Sequence, residues 1–201
     1  MAPSRKLAAL VLTLALLGPP LAAETWTFEL DPAATEVRFR LGATLHAVDG
    51  TLRAREGRIV LDPRSGEASG RIVLDAKSAE TGNRRRDEKM HDKVLESARF
   101  PDIVYTVRRV SGSLQPVGRS TLQLHGTLAM HGVERPLDLL ATADAADGRV
   151  RASGQFTLPY QEWGLADPSF FVLRVADQVD LEIDAVGRLT VDPEGGGGAA
   201  R

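Results

Sequence analysis

The chain has 201 residues, 25 Lys+Arg against 27 Asp+Glu, and no cysteine. That length suits one globular domain with a sizeable core, and a formal charge of −2 spread along the sequence provides no basic stripe to track a nucleic-acid backbone. Without cysteine there are no disulfide staples, no thiol nucleophile and no lipid attachment through an N-terminal cysteine.

Met1 to Ala23 reads as an export signal: Arg5 and Lys6, then an apolar run from Leu7 to Leu17, then Gly18-Pro19-Pro20 and the small pair Ala22-Ala23. As a helix the run spans about 16 Å, roughly half of a ~30 Å hydrocarbon core. Cleavage rather than permanent anchoring is therefore expected, which leaves a soluble periplasmic protein.

The next stretch alternates. Trp26, Phe28 and Leu30 share one face before Asp31-Pro32, and Val37, Phe39 and Leu41 oppose Glu36, Arg38 and Arg40. Asp49-Gly50 and Glu56-Gly57 read as turns around a short strand over 51–55, with Ile59 and Leu61 inward before Asp62-Pro63. A strand over 70–77, carrying Ile72 and Leu74, leads to the one polar helical stretch. Further strands are predicted over 103–110, 121–130, 137–141, 150–158 and 179–189. Nine or ten amphipathic strands against one helix predict an all-β fold, a single antiparallel sheet closed into an up-and-down barrel of about eight strands, because closure removes exposed edges. A barrel of that size either fills its interior with side chains or holds one small ligand. The chain divides into a signal peptide (1–23), the barrel domain (24–191) and a glycine-rich tail (192–201) expected to be disordered.

The helix is predicted from Arg84 to Leu95, with Asn83 as N-cap and Met90 and Val94 on its buried side. Phe100-Pro101 ends it. Arg84, Arg85 and Arg86 stand at the positive end of the helix dipole, where anions are favoured. Two readings stay open: an anion held near the arginines, or pairing with Asp87, Glu88 and solvent.

Four histidines invite a test for metal. His125 and His131 share parity in one strand, but six residues at about 3.3 Å each separate them by roughly 20 Å, too far for one ion. His125 is expected to face outward and His131 to sit at the His131-Gly132 turn. No metal or cofactor is expected. There is no zinc-protease or nucleophile-elbow motif, and no nucleophile–base pair at a recognisable spacing, which weighs against an enzyme. Tyr160, Trp163-Gly164 and Phe170-Phe171 concentrate aromatics at one rim, as core filling or as a gate over an apolar cavity.

Trp26, Leu30-Asp31-Pro32, Val37 and Phe39, then Gly50 and Leu61-Asp62-Pro63, then Thr81-Gly82-Asn83 with Arg86-Asp87 and Phe100-Pro101 follow one pattern through the chain. It continues in Gly126-Thr127-Leu128, His131-Gly132-Val133, Pro136-Leu137, Gly154, Phe156 and Trp163-Gly164. In these residues the chain resembles the YceI-like polyisoprenoid-binding periplasmic proteins, which look like lipocalins in architecture. The resemblance implies a barrel with a helix over it and an apolar channel for an isoprenoid chain or similar amphiphile, a polyprenyl or quinone-like lipid. With it, strand parity nominates Phe39, Ile72, Tyr105, Leu124 and Phe156 as channel residues, Trp163 as a gate, and Asn83, Arg84 and Arg85 for an anionic head group or transient membrane contact. The competing expectation is a packed, non-catalytic barrel whose outer surface recognises a protein.

The mature protein is expected to begin at Glu24. Intact-mass measurement of exported material checks this; retention of residues 1–23 refutes it.

Overall fold

A computed structural model describes residues 24–44, 46–169 and 174–193. Its strands are β1 (Thr25–Leu30), β2 (Glu36–Ala43), β3 (Val48–Leu61), β4 (Glu67–Glu80), β5 (Asp102–Ser113), β6 (Gly118–Met130), β7 (Val133–Ala146), β8 (Arg149–Leu158) and β9 (Val175–Asp192). A helix, α1 (Arg84–Lys89), runs on into one wide π turn over Met90–Val94, and a 3₁₀ turn spans Tyr160–Trp163. The predicted signal segment and Phe170-Phe171 lie outside the described residues, as does the tail beyond residue 193. Asp192 is the last residue of β9 rather than the first of a tail.

Consecutive strands from β2 to β9 pair antiparallel, and the ring closes because β1 and β2 each pair with both β3 and β9. These two strands lie end to end in one rank, so nine strands make an eight-ranked barrel. Asp31-Pro32 does interrupt the strand, as the sequence suggests, but the chain does not reverse there. Asp31 N donates to Val186 O at 2.8 Å. The buried Thr35 hydroxyl donates to Asp31 O at 2.8 Å and accepts from Val186 N at 3.1 Å, returning the chain to β9.

Period-two apolar positions turn inward, as expected. Val37 pairs with Leu52 and Ile183, Tyr105 with Ile72 and Leu128, and Leu124 with Val110 and Leu139, all in or against one core. The expected turns at Asp49-Gly50 and Glu56-Gly57 are not turns, since β3 runs through both. Gly50 is needed for close approach: a Cβ there would fall 2.2 Å from Phe39 Cζ and 2.6 Å from Glu80 O. Gly57 follows a bulge and lies beneath Leu30, whose Cβ would be 2.8 Å away. Pro136 is tolerated within β7 because that strand pairs with β8 only from Thr142 to Ala146, so the missing N–H removes no ladder bond on that side.

The predicted helix forms, and its attachment explains the Thr81-Gly82-Asn83 stretch. Asn83 Oδ1 caps by accepting from Arg86 N at 3.2 Å. Asp87 accepts from both the N–H (3.0 Å) and the hydroxyl of Thr81. Arg86 donates to Thr81 Oγ1 and Thr81 O at 2.7 and 2.9 Å. His91 contacts Ala79 O and Ser97 Oγ, both at 2.9 Å. Met90, Val94 and Leu95 pack on the core, and Leu95 N donates to Met90 O, five residues back, which widens the last turn.

Tyr105 tests the wall's tolerance. Its ring lies over Gly126, where a Cβ would be 3.0 Å from the ring and 2.2 Å from Thr106 O, and its hydroxyl lies 3.0 Å from both Leu124 O and Leu137 O. Burial pushes the phenol's pKa up, with Asp138 adding to the shift, so the donor stays protonated. Tyr105→Phe should cost about 1 kcal/mol, lowering Tm by roughly 2–4 °C. Gly126→Ala should cost more, about 1–3 kcal/mol, because a backbone carbonyl must move. Calorimetry showing Gly126→Ala at wild-type Tm would refute the close-packing account.

Candidate functional site

Phe39 on β2, Leu181 on β9 and Phe156 on β8 occupy one register row: Phe39 pairs with Leu181, and Leu181 with Phe156. All three are half-buried and border a cavity of ≈ 910 Å³. Gly50, Thr51, Glu80, Thr81 and Gly82 also line it, which places its mouth beside the start of α1. The apolar row can take hydrocarbon, while the polar rim favours a head group that stays in water.

The rim is charged, and most of its charges are committed. Arg38 is ringed by Glu36, by Glu182 at 3.5 Å and by Asp184 at 2.7 Å. Those carboxylates, Glu182 foremost, push its pKa further up, against the smaller opposing effect of burial. Arg40 pairs with Asp49 at 3.0 Å, and Asp180 accepts from Thr157 Oγ1 at 2.7 Å. A second, smaller recess of ≈ 460 Å³ is lined by polar side chains, among them Arg53, Lys77, Asp87 and His91.

The nominated residues separate into groups. Phe39 and Phe156 border the large cavity. Ile72, Tyr105 and Leu124 are on the inner face but belong to the packed core or lie against it. Trp163, at 3 % exposure, donates Nε1 to Leu128 O at 2.9 Å and packs in the core with Tyr160, which is the core-filling alternative of the two raised for it. Arg135 holds the same turn from outside, donating to Glu162 O at 2.7 Å. Asn83 is spent on the cap. Arg84 is 91 % exposed and pairs with Glu88 at 3.3 Å, Arg85 is exposed, and Arg86 is bound to Thr81, so the triplet does not act as one anion site.

Leu181 is the apolar lining residue that the sequence reading does not single out, although Val179, Leu181 and Ile183 carry the same period-two signal that marks other strands. Gly50 was missed because its Asp-Gly context mimics a turn. Among the described residues no three His, Cys, Asp or Glu side chains gather closely enough for a metal ion. His131 has positive φ (53°), packs against Phe100 with ring centroids 4.5 Å apart and planes tilted by 52°, and points Nε2 to within 3.5 Å of Glu96 Oε1.

Comparison with known proteins gives a consistent result. The polyisoprenoid-binding domain of Saccharophagus degradans, implicated in plant cell wall breakdown, aligns over 84% of this chain and 99% of its own at 18% identity and a TM-score of 0.64. BcnA of Burkholderia cenocepacia aligns over 78% and 98% at 13% identity and a TM-score of 0.62. The YCEI protein of Campylobacter jejuni aligns over 73% and 84% at 17% identity and a TM-score of 0.52. At these identities the likeness is one of fold. No curated protein sequence matches the chain. The model of the YceI-like domain matches residues 28–187, which include every strand rank, the helix and the cavity row, and the chain belongs to that family.

Proposed function

We propose that this protein binds an apolar amphiphile, a polyisoprenoid or isoprenoid-quinone-like lipid, with its chain in the barrel and its head at the rim, and that it carries or stores that lipid in the periplasm. The row Phe39, Leu181 and Phe156 at the ≈ 910 Å³ cavity carries the reading. That volume is at the upper end of the roughly 300–1,000 Å³ typical of small-molecule sites. Each five-carbon isoprene unit removed from water contributes on the order of 4 kcal/mol at about 0.8 kcal/mol per methylene, so a few units offset the cost of association. Family membership and the fold shared with a polyisoprenoid-binding domain support the ligand class. The export signal read from residues 1–23 supports the compartment.

Native mass spectrometry of gently purified protein should show a non-covalent adduct that disappears on denaturation. Leu181→Arg, with folding checked by circular dichroism, should abolish it by placing a charge in the apolar row. Consistently empty protein that binds no added polyprenyl or quinone lipid would favour the packed, partner-recognising barrel.

Arg84 and Arg85 extend from the lip of the cavity with little structural work to do, which suits contact with an anionic head group or membrane surface. Arg84→Gln with Arg85→Gln should leave Tm within about 1–2 °C while weakening sedimentation with phosphatidylglycerol vesicles. A large fall in Tm would identify the pair as structural instead.

A further inference from the structure

Three side chains from three successive strands meet on the outer wall, away from the cavity. Ser111 Oγ on β5 is 3.1 Å from His125 Nε2 on β6, and His125 Nδ1 is 2.9 Å from Asp138 Oδ2 on β7. Register explains the meeting: His125 is opposite Asp138 on one side and Arg109 on the other, and Ser111 is one outward step from Arg109. The imidazole therefore reaches Ser111 diagonally. With Asp138 accepting from Nδ1–H, Nε2 is left to accept the serine proton. Nucleophile, base and orienting carboxylate thus stand in the order that covalent acyl transfer requires.

The surroundings add a direction. Ser111, Gln123 and Leu140 form one cross-strand row on this face. Leu140 is 66 % exposed, an apolar side chain turned to solvent roughly 10 Å, two strand spacings, from the serine. Gln123 lies between them, and its side-chain amide makes no hydrogen bond within the described protein, so it is free to donate to a carbonyl oxygen. The lipid-binding reading uses none of these groups.

We propose that Ser111, His125 and Asp138 form an acyl-transfer site that cleaves esters with an acyl chain of several carbons laid across Gln123 towards Leu140. Ser111 Oγ adds to the ester carbonyl carbon while its proton passes to His125 Nε2. The tetrahedral oxyanion, facing the Gln123 amide, collapses to acyl-Ser111, and the C–O bond to the alcohol breaks as Nε2 returns the proton to the leaving oxygen. Water then attacks the acyl carbon by the same route, its proton taken by Nε2 and delivered to Ser111, releasing the carboxylic acid. No redox partner or metal is required. The backbone N–H groups of these strands point along the sheet into its ladders, so there is no backbone oxyanion hole. Since one such donor is worth about 10²–10³ in rate, turnover is slow.

A fluorophosphonate probe should lose its fluoride on reaction with the mature protein and leave a single phosphonyl adduct, which peptide mapping should place at Ser111. p-Nitrophenyl butyrate should be hydrolysed with an initial burst. Ser111→Ala should abolish both signals with an unchanged circular-dichroism spectrum, and His125→Ala should lower labelling by at least about 100-fold. The labelling rate should depend on pH in wild type and lose that dependence in His125→Ala; a merely structural histidine gives no such profile. Folded Leu181→Arg should label like wild type, which separates this site from the cavity. The proposal is overturned if wild-type protein stays unlabelled, if the adduct persists in folded Ser111→Ala, or if Leu181→Arg suppresses it.

Discussion

Aromatic rings in a narrow barrel compete with its contents for space, and here the competition is settled at the wall. Phe39 lies against Gly50, Tyr105 against Gly126 and Phe28 against Gly187, each on a neighbouring strand where a Cβ would fall within about 3 Å of the ring. A ring set over a glycine takes space that a Cβ would otherwise fill and covers backbone that would otherwise face the interior. This arrangement reconciles an apolar interior with a cavity beside Phe39 and Phe156. It also explains why mid-sized Val, Leu and Ala fill the remaining inward positions.

The two ends of the barrel are built differently. At one, small residues form a cluster of their own: Ala143, Ala145 and Val150 pack with Phe28, Leu122 and Leu189. The other carries the start of α1, the His131-Gly132 turn and the 3₁₀ turn bearing Trp163. Thr81 is the hinge pin of that end. Its N–H, hydroxyl and carbonyl are all taken by Asp87 and Arg86, so a helix with no buried residue is fixed to the residue just after β4 by polar bonds rather than by area. This attachment positions Gly82 at the cavity mouth and leaves Arg84 and Arg85 pointing outward.

Charge is distributed to match. Outward positions of β2 and β9 are laced together by Arg38 with Glu36, Glu182 and Asp184, half-exposed pairs that contribute modestly to stability but set a polar collar beside the apolar row. In the proposed lipid complex the collar is where the amphiphile would pass from hydrocarbon contacts to water. On the far side of the wall, the same alternation that sends Leu122 and Leu124 inward sends Gln123 and His125 outward. The strand pattern that builds the cavity therefore also assembles the outer-wall Ser111–His125–Asp138 group.

Much of this was legible in the sequence because it is local or strictly periodic. Alternation located the strands, although β3, β7 and β9 run longer than their apolar cores suggest. Asn83, Met90 and Val94 located the helix, its cap and its buried side. Parity turned Phe39, Ile72, Tyr105, Leu124 and Phe156 inward, since a period of two admits only two faces. What depends on which strand lies beside which was not legible. Sequence spacing cannot show that β1 and β2 share a rank, that Gly50 serves a ring instead of a turn, or that Trp163 fills space while Leu181 borders it. Nor could it reveal the serine–histidine–aspartate contact. Ser111, His125 and Asp138 are separated by at least thirteen residues, and only antiparallel register, a property of paired strands, brings their side-chain atoms within hydrogen-bonding distance.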